Sequence, residues 1–411
     1  MDLIIIPSKL SGTVNVPPSK SYTHRALIAA ALAGGGRVKR PLFCEDTLAT
    51  LDCLKGLGFA FDISDDAVSF GERQAPAAGS YRAGESASTL RFMLPVIAAF
   101  RSEFFIAGSP RLLERVETPD LDALTGLRVT RENEGLSVRG RLEGGVFRIS
   151  GKKTTQLASG MILALPLLPK ARLEIVDIDV DDPYVSMTME VGRCFGISYV
   201  VSGRSVTASG VYRPADFTVE GDFSHAANWL AAACLNPGLK IAGLNPASRQ
   251  GDRAILPLMG EMGVHFQNED GGYRLDRGDI GSARLDISDN PDLGPILSAM
   301  AAVGRGEIAI VGTARLKYKE SDRRTAIVRA INALGGRAEI RENAIVVKGV
   351  GRLPGGVRVT GAGDHRIVMA LAAIASRVEK PFVIEGADAV TKSYPDFFTD
   401  YQKAGGKIII P

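Results

Sequence analysis

One plan recurs along this chain, and any fold it adopts must accommodate that plan six times. A short stretch carrying hydroxyls, glycine or charge runs directly into an apolar stretch of helical length. In the first, Pro18-Ser19-Lys20-Ser21 leads, past Arg25, into the run Ala26 to Ala33, and Gly34-Gly35-Gly36 stops it. The same plan follows Gly84-Glu85-Ser86, Gly151-Lys152-Lys153-Thr154-Thr155-Gln156 and Gly221-Asp222-Phe223-Ser224. It returns after Ser288-Asp289-Asn290-Pro291-Asp292 and after Gly361-Ala362-Gly363-Asp364-His365-Arg366. Successive markers (Ser21, Ser86, Thr155, Ser224, Pro291, His365) lie about 65 to 74 residues apart, so six periods fill the 411 residues. This is longer than most solenoid periods, so each unit is expected to be a small fold of its own.

Helix start and stop signals bracket the first apolar run. It is apolar nearly all round, which predicts a buried helix. A second, amphipathic helix sits in each unit, as in Asp46 to Leu54, Asp322 to Leu334 and Tyr394 to Ala404. Glycine and strand-like alternation often follow, as in Gly335-Gly336-Arg337-Ala338-Glu339-Ile340. Each unit reads as strand, buried helix, strand, amphipathic helix, strand, strand, so the class is α/β or α+β. Six buried helices need a common home; three per half, packed side by side with sheets outside, provide one. Hydroxyls, Lys20 and Arg25 at a helix start join free N–H groups and the positive dipole end, which makes an anion site. An ordinary capped core helix is the other reading of the same stretch.

The chain's length predicts two or three domains. A net charge of +3 gives no support for nucleic-acid binding by bulk charge, so basic function is local. The cysteines (Cys44, Cys53, Cys194, Cys234) and histidines (His24, His225, His265, His365) are dispersed. Neither set suggests a metal or disulfide framework, and the cysteines suggest a reducing compartment. The apolar start, Leu3 to Ile6 before Pro7, is too short for a signal peptide or a membrane span. A cytoplasmic monomer without cofactor, metal, nucleic-acid or membrane partner is expected.

Five strings in order carry a family resemblance. They are Pro18-Ser19-Lys20-Ser21 with Arg25; Gly108-Ser109-Pro110-Arg111; Lys319-Glu320-Ser321-Asp322-Arg323; Gly363-Asp364-His365-Arg366; and Lys392-Ser393-Tyr394-Pro395-Asp396. Over essentially its whole length the chain resembles the 3-phosphoshikimate 1-carboxyvinyltransferase family, the enolpyruvyl transferases of the shikimate pathway. The resemblance implies the two-domain enolpyruvyl transferase fold: six βαβαββ repeats, helices inside, sheets outside, and the active site in the interdomain cleft. The expected domains are 13–219 and 1–12 with 220–411.

The implied reaction moves a carboxyvinyl group from phosphoenolpyruvate to the 5-hydroxyl of shikimate 3-phosphate and releases phosphate. Each substrate carries a phosphate of about −1.5 to −2 and a carboxylate, so the site must concentrate positive charge. Arg suits a bidentate grip on these groups, and Lys supplies point charge and proton traffic. By resemblance, Lys20, Ser21, Arg25, Thr154, Thr155, Gln156, Tyr184, Asp292, Arg315 and Lys319 hold shikimate 3-phosphate. Lys20, Ala87, Arg111, Gln156, Arg323, Arg366 and Lys392 hold phosphoenolpyruvate. Asp292 is the base on the 5-hydroxyl, and Glu320 with Lys20 protonates the methylene carbon. His365 supports phosphate loss or caps its helix. Asp292 also fits a turn residue beside Pro291, and Glu320 a first-turn helix residue.

The chain departs from the family pattern at four places. Thr154-Thr155-Gln156 replaces Ser-Ser-Gln and keeps the hydroxyls. Asp181 stands where Ser touches phosphate, Arg315 where Asn precedes Lys-Glu, and Ala87 where glycine lies against phosphoenolpyruvate. The inhibitor glyphosate occupies the place of phosphoenolpyruvate in the family and is longer, so the Ala87 methyl predicts tolerance to it.

Three other readings compete. UDP-N-acetylglucosamine enolpyruvyl transferase shares the fold, but many members carry a loop cysteine near the Arg111 position and Asn after the first Lys. This chain has Ser21 and no cysteine between Cys53 and Cys194. A non-catalytic phosphometabolite binder is expected to lose Asp292 or Glu320. An RNA-end-processing relative is disfavoured by the near-neutral charge.

Overall fold

The apolar runs form the helices Lys20–Leu32, Ala87–Phe100, Gln156–Ala164, Phe223–Leu235, Gly294–Ala302 and His365–Ala373. This is a computed structural model that describes residues 1–76, 79–116, 121–269 and 271–411. In the first helix every residue from Tyr22 to Ala31 is buried, as a run without a polar face requires. Strands alternate instead: Tyr81 and Ala83 are buried in Ser80–Gly84, between exposed Ser80, Arg82 and Gly84. Each sheet therefore has one face for the helices and one for water.

One repeat shows the plan in full. Strand Ser80–Gly84 is followed by Ala87–Phe100, strand Glu103–Gly108, the short helix Pro110–Glu114, and strands Leu127–Glu132 and Gly135–Gly140. The first two strands pair in parallel, which the intervening helix allows. Glu103–Gly108 then pairs antiparallel with Gly135–Gly140, and that strand with Leu127–Glu132. Six four-stranded sheets and one two-stranded sheet of this mixed α/β architecture occur among the described residues.

The chain divides into two compact units, Pro18–Glu220 and Met1–Pro17 with Gly221–Pro411. Each has its own apolar cluster, built around the three buried helices of its half. The first crossing lies after Pro17, later than the boundary at residue 13 expected above. The cause is strand Gly12–Asn15, which pairs in parallel with Leu239–Ala242 and so belongs to the C-terminal unit. The mirror case is Ala215–Thr218, which pairs with Gly36–Lys39 in the N-terminal unit. At both crossings, the strand that precedes a buried helix in sequence completes the sheet of the other unit.

Close helix contact sets up the site in the N-terminal unit. At Gly160 an added Cβ would stand 2.4 Å from the Arg91 carbonyl oxygen and 2.8 Å from Phe92 Cα. Only glycine lets Gln156–Ala164 approach Ala87–Phe100 this closely. Among the described residues no helix is long and apolar enough to cross a membrane.

Candidate active site

In the N-terminal unit the predicted residues lie at helix starts, most of them on the buried helices. Ser19 caps Lys20–Leu32, accepting from Tyr22 N at 3.4 Å. Lys20, the first helical residue, pairs with Asp46 at 2.8 Å, and both side chains are largely buried. Arg25, one turn on, is buried, with its guanidinium 4.8 Å from the Phe92 ring centroid. It donates to Thr188 Oγ1 (2.7 Å), Ser21 O (2.8 Å), Ser159 Oγ (3.1 Å) and Tyr184 O (3.2 Å). Burial pulls its pKa down to about 10, so it stays charged at neutral pH. Arg25 thus ties two predicted ligands, Ser21 and Tyr184, into one frame.

Thr155 precedes Gln156–Ala164 and is buried, and Thr154 Oγ1 accepts from Gln156 N at 3.3 Å. The Gln156 amide is oriented at both ends. Arg91 Nη1 donates to its oxygen at 2.7 Å, and its nitrogen donates to Ser88 Oγ at 2.9 Å. Ala87 opens helix Ala87–Phe100 and is buried just after the cap Ser86. Arg111, half-exposed, lies 3.1 Å from Glu114 on the short helix Pro110–Glu114. Asp182 caps helix Pro183–Cys194 by accepting from Tyr184 N at 2.9 Å, while Asp181 beside it is exposed.

In the C-terminal unit the predicted residues interlock. Asp292, on the turn Pro291–Leu293, meets Lys319 at 2.8 Å, Arg323 at 2.7 Å and Arg366 at 3.6 Å. Arg323 also meets Glu320 at 2.5 Å and, through Nε, Asp364 at 2.7 Å. Asp364 receives a second bond from Arg323 Nη2 at 3.1 Å and one from Ser321 Oγ at 3.0 Å. It also caps helix His365–Ala373 through Arg366 N at 2.9 Å. One buried carboxylate therefore holds the Arg323 guanidinium and caps the helix that carries Arg366. His365 and Lys392 are buried, and Arg315 donates to Ser288 O at 3.4 Å.

Electrostatics follow from this crowding. Burial pushes the Asp292 carboxyl up, but Lys319, Arg323 and Arg366 overcome it and hold it well below the usual range. Burial lowers Lys319, and Asp292 only partly offsets that. Burial opposes the charge of Arg323, yet Asp364, Glu320 and Asp292 raise its pKa above the ordinary arginine value.

Three supporting residues were missed from sequence: Asp46, Arg91 and Asp364. Arg91 had a signal, as a charge inside the apolar run Leu90 to Leu94. Asp364 lies within a motif string that gives it no role of its own, and in sequence Asp46 shows only as part of an amphipathic helix.

A sequence profile of the EPSP synthase family, described as 3-phosphoshikimate 1-carboxyvinyltransferase, matches residues 4–401. A 3-phosphoshikimate 1-carboxyvinyltransferase of Clostridium kluyveri is 35% identical, over 98% of this chain and 97% of its own. One from Clostridium perfringens is 32% identical, over 98% of both. Among solved structures, EPSP synthase from Acinetobacter baumannii superposes with a TM-score of 0.80 at 22% identity, covering 100% of both chains. The enolpyruvyl transferase NikO from Streptomyces tendae gives 0.77 at 17% identity, covering 99% of this chain and 98% of its own. At such identities the two structures establish the fold alone. These matches do not favour a UDP-amino-sugar acceptor.

Proposed function

Because the chain belongs to the EPSP synthase family, we infer that it transfers the carboxyvinyl group of phosphoenolpyruvate to the 5-hydroxyl of shikimate 3-phosphate, releasing phosphate, in chorismate biosynthesis. The observation that carries the residue-level reading is the ion network of Asp292, Lys319, Glu320, Arg323 and Arg366. It supplies a base, an acid and three cations from segments far apart in sequence.

Shikimate 3-phosphate is held by Lys20, Ser21, Arg25, Thr154, Thr155, Gln156 and Tyr184, with Asp292, Arg315 and Lys319 at its reacting side. Phosphoenolpyruvate takes Lys20, Arg111, Gln156, Arg323, Arg366 and Lys392, against Ala87. Glu320, with Lys20, gives a proton to the methylene carbon, which makes the neighbouring carbon electrophilic. Asp292 takes the proton of the 5-hydroxyl as its oxygen forms the new C–O bond. The adduct then expels phosphate, supported by His365, and gives up one methyl proton, which restores the vinyl double bond.

In the arrangement described, Asp292 is ionised but a weak base, because three cations hold its charge. The incoming anions compete for those cations. Each contact they take returns basicity to Asp292, so the substrate itself prepares the base. Four unpaired cysteines among the described residues support a reducing, cytoplasmic setting, and the protein acts there as a monomer without cofactor.

Mixing the protein with phosphoenolpyruvate and shikimate 3-phosphate is expected to release phosphate and form the carboxyvinyl ether. Release only with UDP-N-acetylglucosamine as acceptor would overturn the reading.

A further inference from the structure

Near Arg366 the C-terminal unit buries a carboxylate that the reaction above does not use. Asp252 lies in the turn Gly251–Ala254 and is 1% exposed. Ser224 Oγ donates to its Oδ2, while its Oδ1 meets no hydrogen-bond donor among the described residues. The same Ser224 accepts, through its backbone carbonyl, from Arg366 Nη1 at 2.8 Å and from Asn228 Nδ2 at 3.4 Å. Arg366 is also buried, and its Nε meets no acceptor among the described residues. One serine thus joins a half-satisfied acid to a half-satisfied guanidinium. Native proteins rarely leave such groups buried without cause.

We propose that Asp252 is a positioning residue for Arg366, acting through Ser224 and through its charge to aim the guanidinium at phosphoenolpyruvate. This rests on the assignment of Arg366 to phosphoenolpyruvate made above. The hydroxyl tether fixes the first turn of Phe223–Leu235, and with it the carbonyl that holds Nη1. The negative charge of Asp252 competes with Asp292 for Arg366. Arg366 accordingly stands 3.6 Å from Asp292, where Arg323 closes to 2.7 Å. A guanidinium held off its internal counterion is preorganised for an incoming carboxylate or phosphate.

The contribution of the Asp252 charge to stability depends on pH. Burial, with Asp292 and Asp222, raises its pKa to about 6, against Arg366 and the Ser224 bond. The charged groups facing it are Asp222 at the start of Phe223–Leu235, Asp292 from its turn and Arg366 from His365–Ala373. His225 lies 3.5 Å from Asp222. An acid whose folded pKa exceeds its unfolded value of about 3.8 loses stability as pH rises from there to about 6. At pH 7.5 the ionised form therefore stabilises the fold less than the protonated form does.

The test is steady-state phosphate release, with phosphoenolpyruvate varied at saturating shikimate 3-phosphate, alongside thermal midpoints at pH 7.5. Asp252→Asn is expected to raise KM for phosphoenolpyruvate about 10-fold, short of the roughly 100-fold of gross misplacement. KM for shikimate 3-phosphate stays within about twofold, and the midpoint is unchanged or higher. The gap to wild type closes as pH falls through about 6, where protonated Asp252 resembles asparagine. Ser224→Ala shifts KM the same way, and the double variant is less than additive because the two share one path. Ser224→Ala also carries the test if Asp252→Asn fails to fold. An unchanged KM in both variants, or a lowered midpoint with unchanged KM, overturns the inference if Arg366→Lys still raises KM. If Arg366→Lys leaves KM unchanged, the assignment of Arg366 fails first, and this inference with it.

Discussion

The two units handle their deeply buried arginines differently. In the N-terminal unit Arg25 is met by hydroxyls and backbone carbonyls, and Arg91 by an amide oxygen and a carbonyl. Lys20 there pairs with the Asp46 carboxylate. In the C-terminal unit Lys319, Arg323 and Arg366 are threaded among Asp292, Glu320 and Asp364. Neutral partners fix a cation without cancelling its charge. Carboxylates cancel it, and an incoming anion must replace them. On the proposed reading the first unit is therefore a preformed grip, and the second a network whose base strengthens as substrate takes over its cations.

The comparison breaks most visibly at Asp292. Asp292→Asn keeps the shape and removes the base, so turnover is expected to fall about 10²–10⁴-fold. Near-normal turnover by phosphate release would take Asp292 out of the chemistry. The depressed pKa of Asp292 also contributes stability above its unfolded value, lost as pH falls through the folded one. The variant's deficit in thermal midpoint is therefore expected at neutral pH and should shrink below about pH 4.

A rigid grip should feel one methyl. Ala87 is buried at a helix start, and crowding of the longer glyphosate there costs about 1–3 kcal/mol. Ala87→Gly is expected to tighten glyphosate inhibition about 5- to 150-fold at little change in KM for phosphoenolpyruvate. Equal inhibition constants in the two forms would mean the methyl does not reach the inhibitor.

Arg91→Met tests the grip from behind. Losing the charged bond to Gln156 costs about 1.5 kcal/mol, or tenfold in phosphoenolpyruvate affinity. Unchanged affinity in a calorimetric titration would make the Gln156 amide self-orienting.

Much of this was readable in advance, and the gaps have physical causes. The apolar runs announced the six buried helices because burial on all sides leaves no polar face. The motif strings located Arg323 and Arg366 at helix starts, where the structure has them, because capping residues mark those starts in sequence. Strand exchange at Gly12–Asn15 and Ala215–Thr218 was not readable, since pairing is set by distant backbone. The partners Asp46 and Asp252 were hidden for the same reason. Each reaches its cation or serine only in the folded chain.

Smaller effects sharpen the contrast. His24, in the N-terminal unit, donates to or accepts from Thr50 Oγ1 at 2.8 Å, and burial holds its pKa well below 6.5. Its unfolded form takes up a proton below that pH and its folded form does not, so stability drops as pH falls below about 6.5. His24→Asn should flatten that slope in thermal melts, and an unchanged slope would place the acid sensitivity elsewhere. The least effect is expected at exposed Asp181. Asp181→Ser should tighten shikimate 3-phosphate about two- to threefold by removing a screened like charge. No gain by calorimetry would mean that Asp181 points away from the phosphate.

The division of labour between grip and chemistry is tested most directly by titrating shikimate 3-phosphate calorimetrically into the Asp292→Asn protein whose turnover has been lost. A Kd within a few-fold of the wild-type value is expected, because on the proposed reading the N-terminal set holds the phosphate without help from the base. A Kd that rises in step with the loss of turnover would contradict it, and would make Asp292 part of the grip.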